Sequence, residues 1–143
     1  MIGSNIPKPF NRAGDRSRFQ ASYLMKNLID DKLTIALEPQ GDEIRVCWRG
    51  ISDSRQPARV LEPYLVNLVH ELGKYHKCVF DFTELEFMNS STVGPLLHFI
   101  NRVKGTSVNL VLCYSEQKEW QDVSFRAMRV LTNRMGNVSV EKK

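Results

Sequence analysis

The stretch 78–103, CVFDFTELEFMNSSTVGPLLHFINRV, restricts the fold more than any other part of the sequence. Cys78, Val79, Phe80 and Phe82 form a compact apolar run interrupted only by Asp81. Runs of this kind suit a central strand covered on both faces. Residues 83–88 are then expected to carry the chain over an edge. Asn89, Ser90, Ser91 and Thr92 follow, and all four residue types cap helices. Val93, Leu96, Leu97, Ile100 and Val103 recur at helical spacing, with His98, Asn101, Arg102 and Lys104 on the other side. This predicts hydroxyls at a helix N-terminus, just past the carboxyl end of a core strand. Backbone N–H groups and the helix dipole favour an anion there. A phosphoryl group on a serine would be welcome for the same reason. With Ser91 as cap, Pro95 removes an early backbone bond and predicts a loose or 3₁₀-like first turn.

The rest of the chain is built around this unit. Residues 33–37 read as a strand, 39–42 as a turn, and 43–48 as a second strand. In the latter Ile44, Val46 and Trp48 alternate with Glu43, Arg45 and Cys47, so the pair forms a hairpin. Ser52, Asp53 and Ser54 offer caps for a helix whose stripe is Val60, Leu61, Tyr64, Leu65, Leu68, Val69 and Leu72. Pro63 predicts a kink or a fresh start within it, and Gly73 a stop. Gly105 closes the next helix, and residues 108–113 form a buried strand. A third helix opens at Ser115 or Glu116, with Trp120, Val123, Ala127, Val130 and Leu131 inward. Val138 and Val140 belong to a short last strand. The order β-β-α-β-α-β-α-β predicts an α/β fold with parallel pairing after the hairpin and right-handed crossovers. Helices are expected to cover the sheet. Residues 31–143 form the domain and 1–30 an extension, with little regular structure before about residue 16 and a helix over 17–29.

With 143 residues, of which 42% are hydrophobic, the chain suits one domain plus a tail. No apolar run approaches the ~20 residues that span a bilayer, and the first residues lack a signal-peptide core, so a cytoplasmic location is the default. The three cysteines, Cys47, Cys78 and Cys113, match no metal spacing and read as small buried hydrophobes. The net charge of +4 is scattered, with arginines at 12, 16 and 18 and again at 126, 129 and 134. Without interleaved aromatic residues this pattern argues against nucleic-acid binding. His70, His76 and His98 have no carboxylate or cysteine at ligand spacing. There is no phosphate-cradling glycine motif, Walker-type lysine or nucleophile elbow, so neither a cofactor nor an enzyme is expected.

Asp81-Phe82, Phe87-Met88, Asn89-Ser90-Ser91, Gly94 and Leu96-Leu97 resemble the signature of STAS domains, the bacterial anti-sigma factor antagonists and their relatives. The resemblance covers roughly residues 33–141 and implies a STAS-like layered fold. It places Ser90 at the phosphoacceptor position, with Asp81 structural. It implies a docking surface of Asn89, Ser91, Thr92 and the exposed side of the second helix, including His98. The implied partners are a serine kinase of the anti-sigma type and a metal-dependent serine phosphatase; a homodimer is a further expectation. The family pattern usually reads Asp-Ser-Ser/Ala-Gly at this loop, whereas here Asn89 replaces the aspartate and Thr92 the glycine. Two alternatives stand beside phospho-switching. Ser90 and Ser91 are merely helix caps, or the domain is a scaffold or accessory subunit anchored by its N-terminal extension.

Overall fold

The computed structural model describes residues 25–143. Six strands form one sheet in the order in which they occur in the chain. They are β1 (Leu28–Asp30), β2 (Leu33–Gln40), β3 (Glu43–Ser52), β4 (Lys77–Met88), β5 (Asn109–Tyr114) and β6 (Val138–Lys142). The first three are antiparallel neighbours, and β3 through β6 run parallel. Helices α1 (Ala58–Glu71), α2 (Ser90–Val103) and α3 (Glu119–Thr132) make the three crossovers. This is the expected mixed, mostly parallel α/β sheet with an N-terminal hairpin.

The helices pack on one face of the sheet. Ile35, Trp48, Phe80, Phe82, Leu112 and Tyr114 alternate along the strands into a single core with Leu65, Phe99 and Phe125 from the helices. Aromatic rings form its centre: Phe80 stacks on Phe99 at 4.6 Å, Phe82 meets Phe125 at 4.8 Å and Trp48 at 5.2 Å. Such pairs add roughly 0.5–1.5 kcal/mol each beyond area burial. The other face corrects the expectation of a sheet covered on both sides. Ala36, Cys47, Val79 and Cys113 are buried there, but outside the helix-side core. They are small, and charged pairs surround them: Arg45 with Asp81 at 2.8 Å, and Arg49 with Glu84 at 2.8 Å.

Several local expectations are revised. The strand β4 does not stop at Phe82 but continues to Met88. Its partner β3 is also long, and two register breaks let Ile51 pair with Phe87 and Ser52 with Met88. Gly50 makes this possible. Its φ is +89°, and a β-carbon there would lie 2.0 Å from the Lys32 carbonyl oxygen. Ile51 N–H donates to that same oxygen at 3.0 Å, so the β1–β2 turn rests on β3. The expected helix over 17–29 lies mostly outside the described residues, and its last positions, Leu28 and Ile29, are in β1. Pro63 and Pro95 each sit inside an unbroken helix. Each loses one backbone bond, and packing of the flanking turns on the sheet holds the helix through the gap. None of Ser52, Asp53 and Ser54 caps α1, which starts after Pro57 with no side-chain cap.

The third helix is rotated from its expected orientation: of the expected inward residues only Trp120 packs against the core, and Ala127 is exposed. Gln121, Phe125, Met128 and Thr132 are its buried residues. Val123, Val130 and Leu131 face outward, 63%, 70% and 60% exposed.

Candidate functional site

The site follows from the way β4 hands over to α2. Asn89, in extended conformation, is the N-cap of α2. Its Oδ1 accepts from the Thr92 backbone N–H at 3.1 Å and from Thr92 Oγ1 at 2.8 Å. Its Nδ2 donates to the Ser54 carbonyl at 2.8 Å. Its backbone N–H donates to the Ser52 carbonyl at 2.9 Å. Thr92 Oγ1 has its proton committed to Asn89, so Ser52 Oγ is the donor in their 2.7 Å contact. These bonds tie the helix N-terminus to the β3–α1 loop.

This geometry separates the sequence-identified residues into two groups. Ser90 and Ser91 are exposed, and neither hydroxyl has a hydrogen-bond partner among the described residues. They occupy the first two helical positions, where backbone N–H groups point outward. Ser91, expected as a cap, is not one. Thr92 is fully buried, so it cannot belong to a docking surface. Its hydroxyl is needed inside, between Ser52 and Asn89. Asn89 is half-buried with both side-chain atoms engaged inward, and it supports the surface from below. A glycine in place of Thr92 would leave Ser52 Oγ without its partner.

His98 lies two turns along α2 from Ser90 and remains exposed. Ser90, Gly94, His98 and Arg102 follow one another at i, i+4 spacing and so form one stripe. Nothing approaches the position a β-carbon at Gly94 would take, which leaves the middle of the stripe open. His98 Nδ1 meets Glu62 Oε2 of α1 at 2.5 Å, and Arg102 reaches Glu62 Oε1 at 3.5 Å. Sequence spacing gave no sign of this carboxylate partner, because it comes from another helix.

Two further residues enlarge the site. Phe87 is 47% exposed although it lies in β4 beside the cap. Its place in a stretch expected to be a loop hid it. Gln121 is fully buried and holds the end of β4 in place. Its Nε2 donates to the carbonyls of Phe82 at 2.6 Å and Leu85 at 2.9 Å, and its Oε1 accepts from the Ser115 N–H at 2.8 Å. Asp81 is structural, accepting at Oδ1 from the Thr83 N–H at 2.9 Å and hydroxyl at 2.6 Å. Burial pushes its carboxyl up, but the two Thr83 bonds, Lys143 and Arg45 outweigh this and hold it below its ordinary value.

Among solved structures, an anti-sigma factor antagonist from Mycobacterium paratuberculosis is similar over 78% of this chain and 88% of its own, with a TM-score of 0.56 and 16% identity. The Bacillus cell fate determinant SpoIIAA in its phosphorylated form is similar over 74% of this chain and 89% of its own, at a TM-score of 0.52 and 15% identity. The fold is STAS-like. No family model matches the sequence, and no curated protein does either. The STAS-like domain contains no helix among its described residues long and apolar enough to cross a membrane. Likewise, no three His, Cys, Asp or Glu side chains among the described residues are grouped to hold a metal ion.

Proposed function

We propose that this STAS-like domain is a non-catalytic signalling protein that binds a serine kinase of the anti-sigma type and is released when Ser90 is phosphorylated. The observation that carries this reading is the division of labour at the start of α2. Asn89 supplies the cap, so the exposed Ser90 hydroxyl is left without a structural task. This weighs against Ser90 as a mere cap.

The physical consequences follow from charge. A phosphoryl group brings about −1.5 to −2 charges and three acceptor oxygens at pH 7. At the first position of a helix it meets outward N–H groups and the positive end of the dipole, so the domain stays folded. A partner surface carrying carboxylates is repelled by the same group. Ser90, Ser91, Phe87, the open flank at Gly94 and His98 make the docking face, while Asn89 and Thr92 keep it rigid. A metal-dependent serine phosphatase would reverse the mark.

The experiment is a pull-down from lysate of the source organism with the parent protein and Ser90→Asp side by side. The parent is expected to retain a kinase-type partner that the variant loses, with affinity weakened by more than about 1 kcal/mol. Equal affinity of the two proteins for that partner would refute phospho-switching and leave a constitutive scaffold.

A further inference from the structure

The outward face of α3 is apolar with no matching surface among the described residues. Val123, Ala127 and Val130 recur at spacings of four and three, and Leu131 flanks them, while Trp120 is half-buried against the core. Val123, Val130 and Leu131 are each at least 60% exposed. The helix already has a complete inward face in Gln121, Phe125, Met128 and Thr132. It therefore has two apolar faces, of which the fold uses one. A seam repeating at three and four residues is what an opposing helix packs into.

We propose that α3 pairs antiparallel with α3 of a second copy of this chain, the two helices crossing at Ala127. Three observations select a second copy as the occupant. The seam is symmetric about Ala127: when the helices run antiparallel, Val123 of each falls opposite Leu131 of the other, with Val130 beside it. The residue at the crossing is the smallest in the seam, which lets the backbones approach to the ~8 Å of closely packed helices. The charges are also complementary under this symmetry. Glu119 lies at the start of the helix and Arg134 just beyond its end, and neither has an ion-pair partner among the described residues. Antiparallel pairing brings Glu119 of each copy beside Arg134 of the other, whereas parallel pairing would set like charges together. Such a contact is isologous and closes on itself as a dimer. Asp122 and Arg126 are ion-paired within one chain, and Arg129 donates to the Val140 carbonyl, so these groups frame the seam without conflicting across it.

One helix per subunit covers less than the ~800 Å² per partner of a standard interface, so the dimer is expected to be reversible. The test is sedimentation equilibrium of the full chain, from about 1 µM to about 1 mM. A monomer–dimer equilibrium is expected. Val130→Asp should raise its dissociation constant at least about tenfold, since it sets a carboxylate in an apolar seam. That position is exposed, so circular dichroism of the variant should match the parent. Glu119→Arg should weaken the dimer, and Glu119→Arg with Arg134→Glu should restore it. Ala127→Cys should form an inter-chain disulfide on mild oxidation, because only a residue on the two-fold meets its own copy. A monomer at every concentration overturns the proposal, including one in which residues 1–24 cover the seam. A dimer indifferent to Val130→Asp, or a charge reversal that restores nothing, overturns it equally.

Discussion

Replacing Asn89 by aspartate tests whether the capping network, rather than partner recognition, explains this residue. The variant keeps the cap, because aspartate and asparagine are about equal at that position. Both bonds from Thr92 persist and the helix dipole gains a negative charge, worth about 0.3–1 kcal/mol. Against this, the 2.8 Å bond from Nδ2 to the Ser54 carbonyl is lost. Its net value is about 0.5–1.5 kcal/mol, and a carboxylate oxygen facing that carbonyl adds repulsion. Loss exceeds gain, and a destabilisation of about 1 kcal/mol at pH 7 is expected. The assay is urea unfolding of parent and variant, read as a shift of midpoint at constant slope. A deficit at neutral pH means that the folded state binds the new carboxyl's proton more tightly than the unfolded chain does. The deficit should therefore close as the pH falls through the ordinary carboxylate range, near ~4, where a protonated carboxyl again donates to Ser54. A variant as stable as the parent at pH 7, or a deficit unchanged at pH 3, refutes the reasoning.

Two further outcomes follow from the residues that hold the end of β4. Gln121→Leu removes the donor to the Phe82 carbonyl and the acceptor of the Ser115 N–H, and leaves the Leu85 carbonyl only the 3.4 Å contact from Lys118 Nζ, all at a fully buried position. It is expected to cost about 2–4 kcal/mol in thermal or urea unfolding; a loss under about 0.5 kcal/mol would contradict the network. Because the Asp81 carboxyl is held below its ordinary value, its contribution is fully present above the unfolded carboxyl range and is lost as the pH falls through the folded value. Asp81→Asn should therefore be less stable than the parent at pH 7, and the two unfolding curves should converge in acid below about pH 4, while a pH-independent difference would show that the charge is irrelevant.

The alternation of Ile44, Val46 and Trp48, the apolar run at Phe80 and Phe82, and the helical stripe after Thr92 made the α/β order legible. These signals are local, and the core they describe is one continuous cluster. The errors arose where two patterns coincided or where partners were distant. In α3 both faces carry apolar residues at helical spacing, and the buried face includes Gln121 and Thr132, whose polarity made it look like the solvent side. Nothing near Gln121 in sequence indicates the carbonyls of Phe82 and Leu85 that it satisfies. The extension of β4 through Met88 depends on the length of β3 and on Gly50, neither of which the stretch 83–88 records. At the site, Ser90 was visible by its place after a core strand. The assignment of the cap to Asn89, and of Thr92 to the interior, depends on Ser52 and Ser54 some 35 to 40 positions away.

The identity of strand order in space and in sequence bears on how the domain is made. Each strand borders an edge formed by residues that precede it in the chain, and no strand lies between two earlier ones. Residues 28–52 present the first antiparallel edge, and each βα crossover then extends it by one position. The topology therefore allows the sheet to grow from its N-terminal edge without any strand being displaced. The loop bearing Ser90 follows β4 and takes its place only when β4 has joined β3, about two thirds of the way along the chain.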